Sequence, residues 1–137
     1  LKQKYPEAVF PGVKHGEEMA AYYGAADVFV FPSLTDTFGL VMLESLACGA
    51  PVAAYPVTGP LDVLQPGITG IMDDNLAAAI TQALELDREQ CSEIASRFSW
   101  HNIAAAMLQA FVPVSRDKTG ALSEAQGAQW ASQDIPA

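Results

Sequence analysis

The sequence is poor in basic residues. Seven lysines and arginines stand against 16 aspartates and glutamates, which gives a net charge of −9 and an isoelectric point near 4.4. An acidic surface repels phosphate backbones and anionic lipids, so the composition argues against nonspecific nucleic-acid binding. A phosphate-binding site in this chain must therefore be local, built from backbone amides or from a few cations.

Cysteines and long apolar runs are also scarce. Cys48 and Cys91 are far apart and show no C-x-x-C spacing, which favours two buried reduced thiols and supports neither a disulfide nor a metal site. No apolar run is long enough to cross a bilayer, and the opening stretch LKQKYPEAVFPG lacks the shape of a signal peptide. We therefore expect a cytoplasmic chain without a transmembrane segment.

The sequence does contain a regular alternation of apolar runs and helical patterns. Its 137 residues, half of them hydrophobic, suit one domain with a substantial core. Segments 28–33 and 51–55 are apolar on both faces, which predicts two neighbouring interior strands of a parallel sheet. Segments 17–27 and 38–49 have helical spacing. The expected fold class is α/β, a Rossmann-like parallel sheet with helices on both faces.

The two ends of the chain carry weaker signals. Residues 8–12, AVFPG, predict a first strand with no credible element before it. Because a doubly wound domain usually has more strands ahead of such a unit, we expect the chain to be truncated at its N-terminal side. From Pro113 onward the periodicity is lost, which predicts a flexible tail over 113–137 after a domain over 1–112.

The densest chemical signal is the stretch FPSLTDTFGLVMLESLACGAPVAAY, a strand followed by a short loop and a helix that begins near Phe38 or Gly39. In open α/β sheets, ligands bind just past the carboxyl ends of the strands, where a helix offers unpaired amides and the positive end of its dipole. Gly39 has no side chain, so an oxyanion can approach the backbone closely. The amides around Phe38 to Leu40 are therefore candidates for binding a diphosphate without a basic cluster.

Two acidic residues flank this helix start. Asp36 lies in the loop, and Glu44 lies more than one turn into the helix. A carboxylate at Glu44 could accept hydrogen bonds from a ribose diol, and Asp36 could accept them from sugar hydroxyls. The simpler alternative is that Asp36 caps the helix and Glu44 is an exposed helix residue; the spacing alone favours that alternative.

The stretch ADVFVFPS…TDTFGLVMLESLACGAPVAA resembles the signature of retaining glycosyltransferases of family 4, in the GT-B class. That family carries two acids separated by seven residues, a spacing that Asp36 and Glu44 share, and Phe38 and Gly39 stand in the family's places. The similarity extends back to VFPGVKHGEEMAAYYGAAD and forward through TGPLDVLQPGITGIM to RFSW. The family's first acid is usually Glu, whereas this sequence has Asp36. Because TDTFG is similar to the motif of a mannosyl and sulfoquinovosyl transferase subset, we interpret Asp36 as a feature of that subset.

The resemblance implies that residues 1–112 are part of the C-terminal, nucleotide-sugar-binding domain of a GT-B glycosyltransferase. The parent enzyme would transfer a hexose such as mannose, with retention, from a GDP- or UDP-linked donor to an unidentified acceptor. No metal or other cofactor is implied, because helix-end amides and cations stabilise the leaving diphosphate. The family's Arg–Lys pair and its N-terminal acceptor-binding domain have no match here, so we expect the chain alone to be inactive. No residue is predicted to be catalytic, and five are predicted to bind the donor: Asp36, Phe38, Gly39, Leu40 and Glu44.

Three further residues are weaker candidates for contacting the donor. Gly12 follows the first predicted strand, where a simple turn glycine is an equal alternative. Lys14 could touch phosphate, although a solvated lysine is favoured, and Thr37 lies beside Asp36. The alternative function is a non-catalytic Rossmann-like module that binds a nucleotide or a partner. An epimerase half shares the fold class but needs a histidine and acid constellation that we do not find.

Overall fold

A computed structural model describes residues 1–111, 114–116 and 122–124 of the chain. It divides into two compact units, residues 1–97 and 98–137. In chain order the elements are α1 (Gly16–Ala25), β1 (Phe29–Phe31), α2 (Leu40–Ala47), β2 (Val52–Ala54), α3 (Pro60–Val63), β3 (Gly70–Met72), α4 (Leu76–Ala83), α5 (Arg88–Ser96), α6 (Trp100–Ala110), β4 (Val114–Arg116) and β5 (Leu122–Glu124).

The first unit is built on a parallel sheet in the order β1-β2-β3. Phe29 of β1 lies opposite Val52 of β2, and Val52 lies opposite Gly70 of β3, all in parallel register. Short helices connect the strands, as parallel pairing requires. The prediction that segments 28–33 and 51–55 contain neighbouring parallel strands is confirmed.

Helices cover both faces of this sheet, because successive side chains of a strand point to opposite sides. On one face, Val52 and Ala54 join a buried cluster with residues of α2, α3 and α5, such as Met42 and Leu46. On the other face, Ala53 packs with Ala79 and Ala83 of α4. The Rossmann-like arrangement predicted from the alternation of elements is therefore confirmed.

Side-chain caps define where the later helices begin. Asn75 accepts a hydrogen bond from the Ala78 amide at 3.3 Å before α4, and Asp87 accepts one from Glu89 at 2.8 Å before α5. These acceptors satisfy amides that have no partner within the helix. Helices α4 and α5 therefore each begin at a capping side chain, Asn75 and Asp87.

The strand predicted over residues 8–12 was wrong. These residues form no strand, and the Val9 side chain is 83% exposed. A strand needs a neighbour for its amides and carbonyls, and Pro11 also removes one donor. Within the described residues nothing pairs with this segment.

The prediction that β1 is an interior strand was also wrong. Among the residues that the structure describes, β1 pairs with β2 alone and forms an edge of the sheet. Helix α4 contacts β2 and β3 on its face of the sheet, so Val30 of β1 is left 37% exposed there. An apolar run on both faces of a strand therefore did not distinguish an edge from an interior position.

The second unit contains α6 and an antiparallel pair formed by β4 and β5, with Val114 opposite Glu124. Ser99 caps α6 by accepting a hydrogen bond from the Asn102 amide at 3.3 Å. The composition of residues 113–137 did not predict these two strands. The rest of that segment lies outside the described residues, so its flexibility stays a prediction. No helix within the described ranges is long and apolar enough to span a membrane.

Candidate functional site

A cleft of about 780 Å³ lies where β1 and β2 end. This volume is within the range of small-molecule sites, and the carboxyl edge of a parallel sheet is their usual position. The loop after β1 forms one wall, and the loop after β2 with the start of α3 forms the other. The residues lining the cleft are Leu34, Thr35, Asp36, Thr37, Pro56, Val57, Thr58 and Leu61.

Asp36 is fixed by the backbone of its own loop. Its Oδ1 accepts a hydrogen bond from the Phe38 amide at 2.9 Å, a short-range turn typical of aspartate. The Ser33 hydroxyl donates to the Thr35 carbonyl at 3.1 Å and tightens the same loop. Asp36 is half-buried and lines the cleft. The Phe38 amide, which was predicted to face a phosphate, is already occupied by Asp36.

Gly39 marks the point where the loop becomes α2. Its φ of 74° and ψ of 59° lie in the left-handed region, which glycine adopts without strain. The helix then begins at Leu40, whose side chain is exposed. Because the first amides of a helix have no acceptor within it, this end of α2 can donate to an anion that lies beside the cleft.

Gly59 brings the second loop against Asp36. A Cβ built on Gly59 would lie 3.4 Å from the Asp36 carbonyl oxygen, and the glycine has a φ of 94°. The turn therefore favours glycine for its backbone angle, whereas an added Cβ would only come into ordinary contact with Asp36. The two walls of the cleft meet at this contact.

Glu44 occupies different surroundings. It is exposed in the second turn of α2, about 6 Å along the axis from Leu40, and it does not line the cleft. Its carboxylate interacts with the Tyr23 hydroxyl of α1. Burial raises the pKa of the Tyr23 phenol, and the nearby negative charge of Glu44 raises that pKa further. The structure thus places Asp36 in the cleft and Glu44 in a seam between α1 and α2.

Of the three weaker candidates for contacting the donor, one lies in the cleft and two do not. Thr37 lines the cleft beside Asp36. Lys14 instead forms an ion pair with Glu18 and lies over the ring of Tyr22, with 5.5 Å between its Nζ and the ring centroid. Gly12 has a φ of 80°, and a Cβ built on it would have nothing within 4 Å. Neither Gly12 nor Lys14 lines the cleft. Among the described residues, the cleft lining therefore includes one charged side chain, that of Asp36, and no cation.

Sequence reasoning missed part of this site. Thr58, Val57 and Pro56 line the second wall, and the signal for them was their position directly after a buried strand, where ligands gather. Tyr23 was also missed, since only the packing of α1 on α2 reveals it. Within the described ranges, no group of three or more histidine, cysteine, aspartate or glutamate side chains could hold a metal ion.

The chain is similar to several known glycosyltransferases. It is 35% identical over 119 residues to a D-inositol 3-phosphate glycosyltransferase of Geodermatophilus obscurus, covering 81% of this chain and 26% of the relative. It is 42% identical over 72 residues to a GDP-mannose-dependent alpha-mannosyltransferase of Mycobacterium tuberculosis, covering 53% of this chain and 19% of the relative. The chain thus spans about a fifth to a quarter of the length of these relatives.

A solved structure agrees with these matches. Sucrose-phosphate synthase of Thermosynechococcus elongatus superposes with a TM-score of 0.67 and 36% identity, over 79% of this chain and 31% of that one. The family model described as glycosyl transferases group 1 matches residues 1–86, which include the cleft and both acids of the predicted pair. The chain therefore belongs to the group 1 glycosyltransferases, as its resemblance predicted.

Proposed function

We propose that the chain binds the nucleotide-sugar donor of a retaining hexosyltransferase. The observation that carries this proposal is the cleft at the carboxyl ends of β1 and β2, with Asp36 in its wall and the start of α2 directly after it. Carboxylate and hydroxyl groups suit a sugar, and the open amides of a helix end suit a diphosphate. The family membership supports the same assignment.

The sugar of the donor would bind in the cleft, and its nucleotide would bind along α2. Asp36 and Thr37 would accept from and donate to hydroxyl groups of the hexose in the cleft. The amides of Gly39 and Leu40, at the start of α2, would bind the diphosphate. Glu44, one turn further along α2, would accept hydrogen bonds from the ribose diol. Each role positions the donor, and none transfers a proton.

A GDP- or UDP-linked hexose is the proposed donor, and a mannosyl group linked to GDP is the leading candidate. One relative is named for its dependence on GDP-mannose. We assign no metal to the reaction, since helix-end amides can stabilise the leaving diphosphate. Transfer itself requires an acceptor-binding domain in the whole protein, which we place in the cytoplasm.

Calorimetric titration of the chain with GDP, UDP, GDP-mannose and UDP-glucose tests the proposal. Glu44→Gln keeps the shape of the side chain but removes its charge, so GDP affinity should fall about tenfold to a hundredfold, or about 1.5–3 kcal/mol. Asp36→Asn should weaken GDP-mannose binding more than GDP binding, because Asp36 is assigned to the sugar.

Glu93→Gln is the matched control, since it removes the same charge from an exposed position of α5 and should leave affinity unchanged. If Glu44→Gln binds GDP as tightly as the parent chain while it stays folded, Glu44 is a solvated helix residue. If no nucleotide or nucleotide-sugar binds at all, a module that binds a protein partner becomes the better description of the chain.

A further inference from the structure

The cleft at the ends of β1 and β2 combines apolar walls with a single charge. Half of its lining residues are apolar, namely Leu34, Pro56, Val57 and Leu61. Three others are threonines, whose hydroxyls are neutral, and the last is Asp36. The charge that the described residues place in the cleft is therefore negative.

No cation of the described ranges neutralises the Asp36 carboxylate. Its Oδ1 accepts a hydrogen bond from the Phe38 amide at 2.9 Å, but no described basic side chain forms an ion pair with it. Lys14 is paired with Glu18, and Arg88 donates to backbone carbonyls at the end of α1. Because one amide does not cancel a full charge, the cleft keeps a negative potential.

The apolar walls make this potential more effective. Leu34 lies on the wall that carries Asp36, and Val57 and Leu61 lie on the opposite wall. Asp36 itself is half-buried. Hydrocarbon walls exclude water and lower the effective dielectric constant, so two charges inside a cleft interact more strongly than they do in open water. A second negative charge in this cleft would be repelled.

The start of α2 provides partial positive charge beside the cleft, because its first amides have no acceptor within the helix. In the proposed function the amides of Gly39 and Leu40 bind the diphosphate, which is itself anionic. An anionic group on the sugar would have to lie next to Asp36, where no cation among the described residues lines the cleft.

We propose that the cleft selects a neutral hexose, and that Asp36 rejects sugars that carry a carboxylate or a sulfonate. This inference rests on the proposed function, because it assumes that the cleft receives the sugar of the donor. A sugar hydroxyl can donate to the Asp36 carboxylate, whereas an anionic group brings only acceptors and a like charge. The inference separates the two activities that TDTFG resembles, since sulfoquinovose carries a sulfonate and mannose does not.

Pairs of nucleotide-sugars that differ by one charged group test the inference, with affinities measured by calorimetry for the 137-residue chain. GDP-mannose is compared with GDP-mannuronic acid, and UDP-glucose with UDP-glucuronic acid. Each pair shares its nucleotide and its ring stereochemistry, and differs by an alcohol or a carboxylate at the same carbon. The neutral sugar should bind about fivefold to thirtyfold more tightly than the acidic one, because like charges a few ångströms apart repel in a cleft. The pair whose nucleotide the chain binds decides the result.

Asp36→Asn should remove most of this preference. Asparagine keeps the size of the side chain and an oxygen for the Phe38 amide, but it carries no charge. The ratio of the two affinities in a pair should fall below about threefold.

Asp73→Asn is the matched control. Asp73 also follows a strand, is half-buried, and accepts a hydrogen bond from the amide two residues later, that of Asn75, at 2.7 Å. It does not line the cleft, so its replacement should leave the ratio of affinities unchanged. Thermal denaturation of each variant checks that it is folded.

The outcomes separate the two proposals. If the acidic sugar of a pair binds as tightly as the neutral one, the selection of a neutral hexose is overturned and the donor site stands. The role of Asp36 is overturned if Asp36→Asn keeps the full preference, or if Asp73→Asn removes it to the same extent. If none of the nucleotide-sugars and neither GDP nor UDP binds, the proposed function fails and this inference fails with it.

Discussion

The cleft and the seam between α1 and α2 hold their acidic residues by different means. In the cleft, Asp36 is fixed by the amide of a residue two positions later in the chain. In the seam, Glu44 lies near Tyr23, which belongs to another helix, and its charge raises the pKa of the Tyr23 phenol. The seven-residue spacing that predicted the pair therefore describes two separate environments. One can be inferred from neighbouring residues, whereas the other depends on tertiary packing.

The largest effect on stability should come from a substitution at Gly59, where the two walls of the cleft meet. Gly59→Ala places a Cβ on a backbone with a φ of 94°, 3.4 Å from the Asp36 carbonyl. Because alanine is strained at this φ, we expect the free energy of unfolding to fall by about 1–3 kcal/mol. GDP-mannose binding should weaken because relief of that strain moves the loop that contacts Asp36. Urea denaturation and calorimetric titration measure the two effects.

Gly67→Ala is the control for backbone strain, since Gly67 has a φ of 78° and nothing within 4 Å of the added Cβ. It should cost stability but leave GDP-mannose affinity unchanged. If both variants bind GDP-mannose as tightly as the parent chain, the approach of Gly59 to Asp36 has no part in the site.

A smaller effect should separate the two roles of Asp36. Asp36→Ala removes the acceptor for the Phe38 amide, which should lower the free energy of unfolding by about 0.5–2 kcal/mol, as the loss of a cap does. Asp36→Asn retains an oxygen at that place, so its stability should stay near that of the parent chain. Thermal denaturation compares them, and equal losses from both variants would show that the carboxylate charge, not the turn, carries the stability.

Much of the first unit could be predicted because its signals are local. The apolar runs indicated neighbouring parallel strands, and Gly39 before a helical pattern indicated where α2 begins. The edge position of β1 was not predictable, since its exposure at Val30 depends on which elements α4 covers. Residues 8–12 have a strand-like pattern but no neighbour to pair with among the described residues.

The candidate site divides in the same way. Asp36, Thr37 and Gly39 could be predicted, because they lie close together in sequence in one loop at the end of a strand. Thr58 lines the cleft, and Tyr23 lies near Glu44, because elements that are distant in sequence pack together. A spacing rule finds residues of the first kind and misses those of the second.

The smallest expected effect concerns the titration of Tyr23, and it tests the seam directly. Burial first, and the Glu44 carboxylate second, raise the pKa of the phenol above its ordinary value of 10.0. A group whose pKa is raised on folding contributes stability that is fully present below the unfolded pKa and is lost as pH rises through the folded one. Stability should therefore begin to fall above about pH 10, and Tyr23→Phe should reduce that fall. Absorbance at 295 nm should show that one of the four tyrosines ionises late. Glu44→Gln should move this late component only part of the way back, because burial remains. Tyr22→Phe should leave the component in place, whereas a late component that persists in Tyr23→Phe would show that Tyr23 is not the buried partner of Glu44.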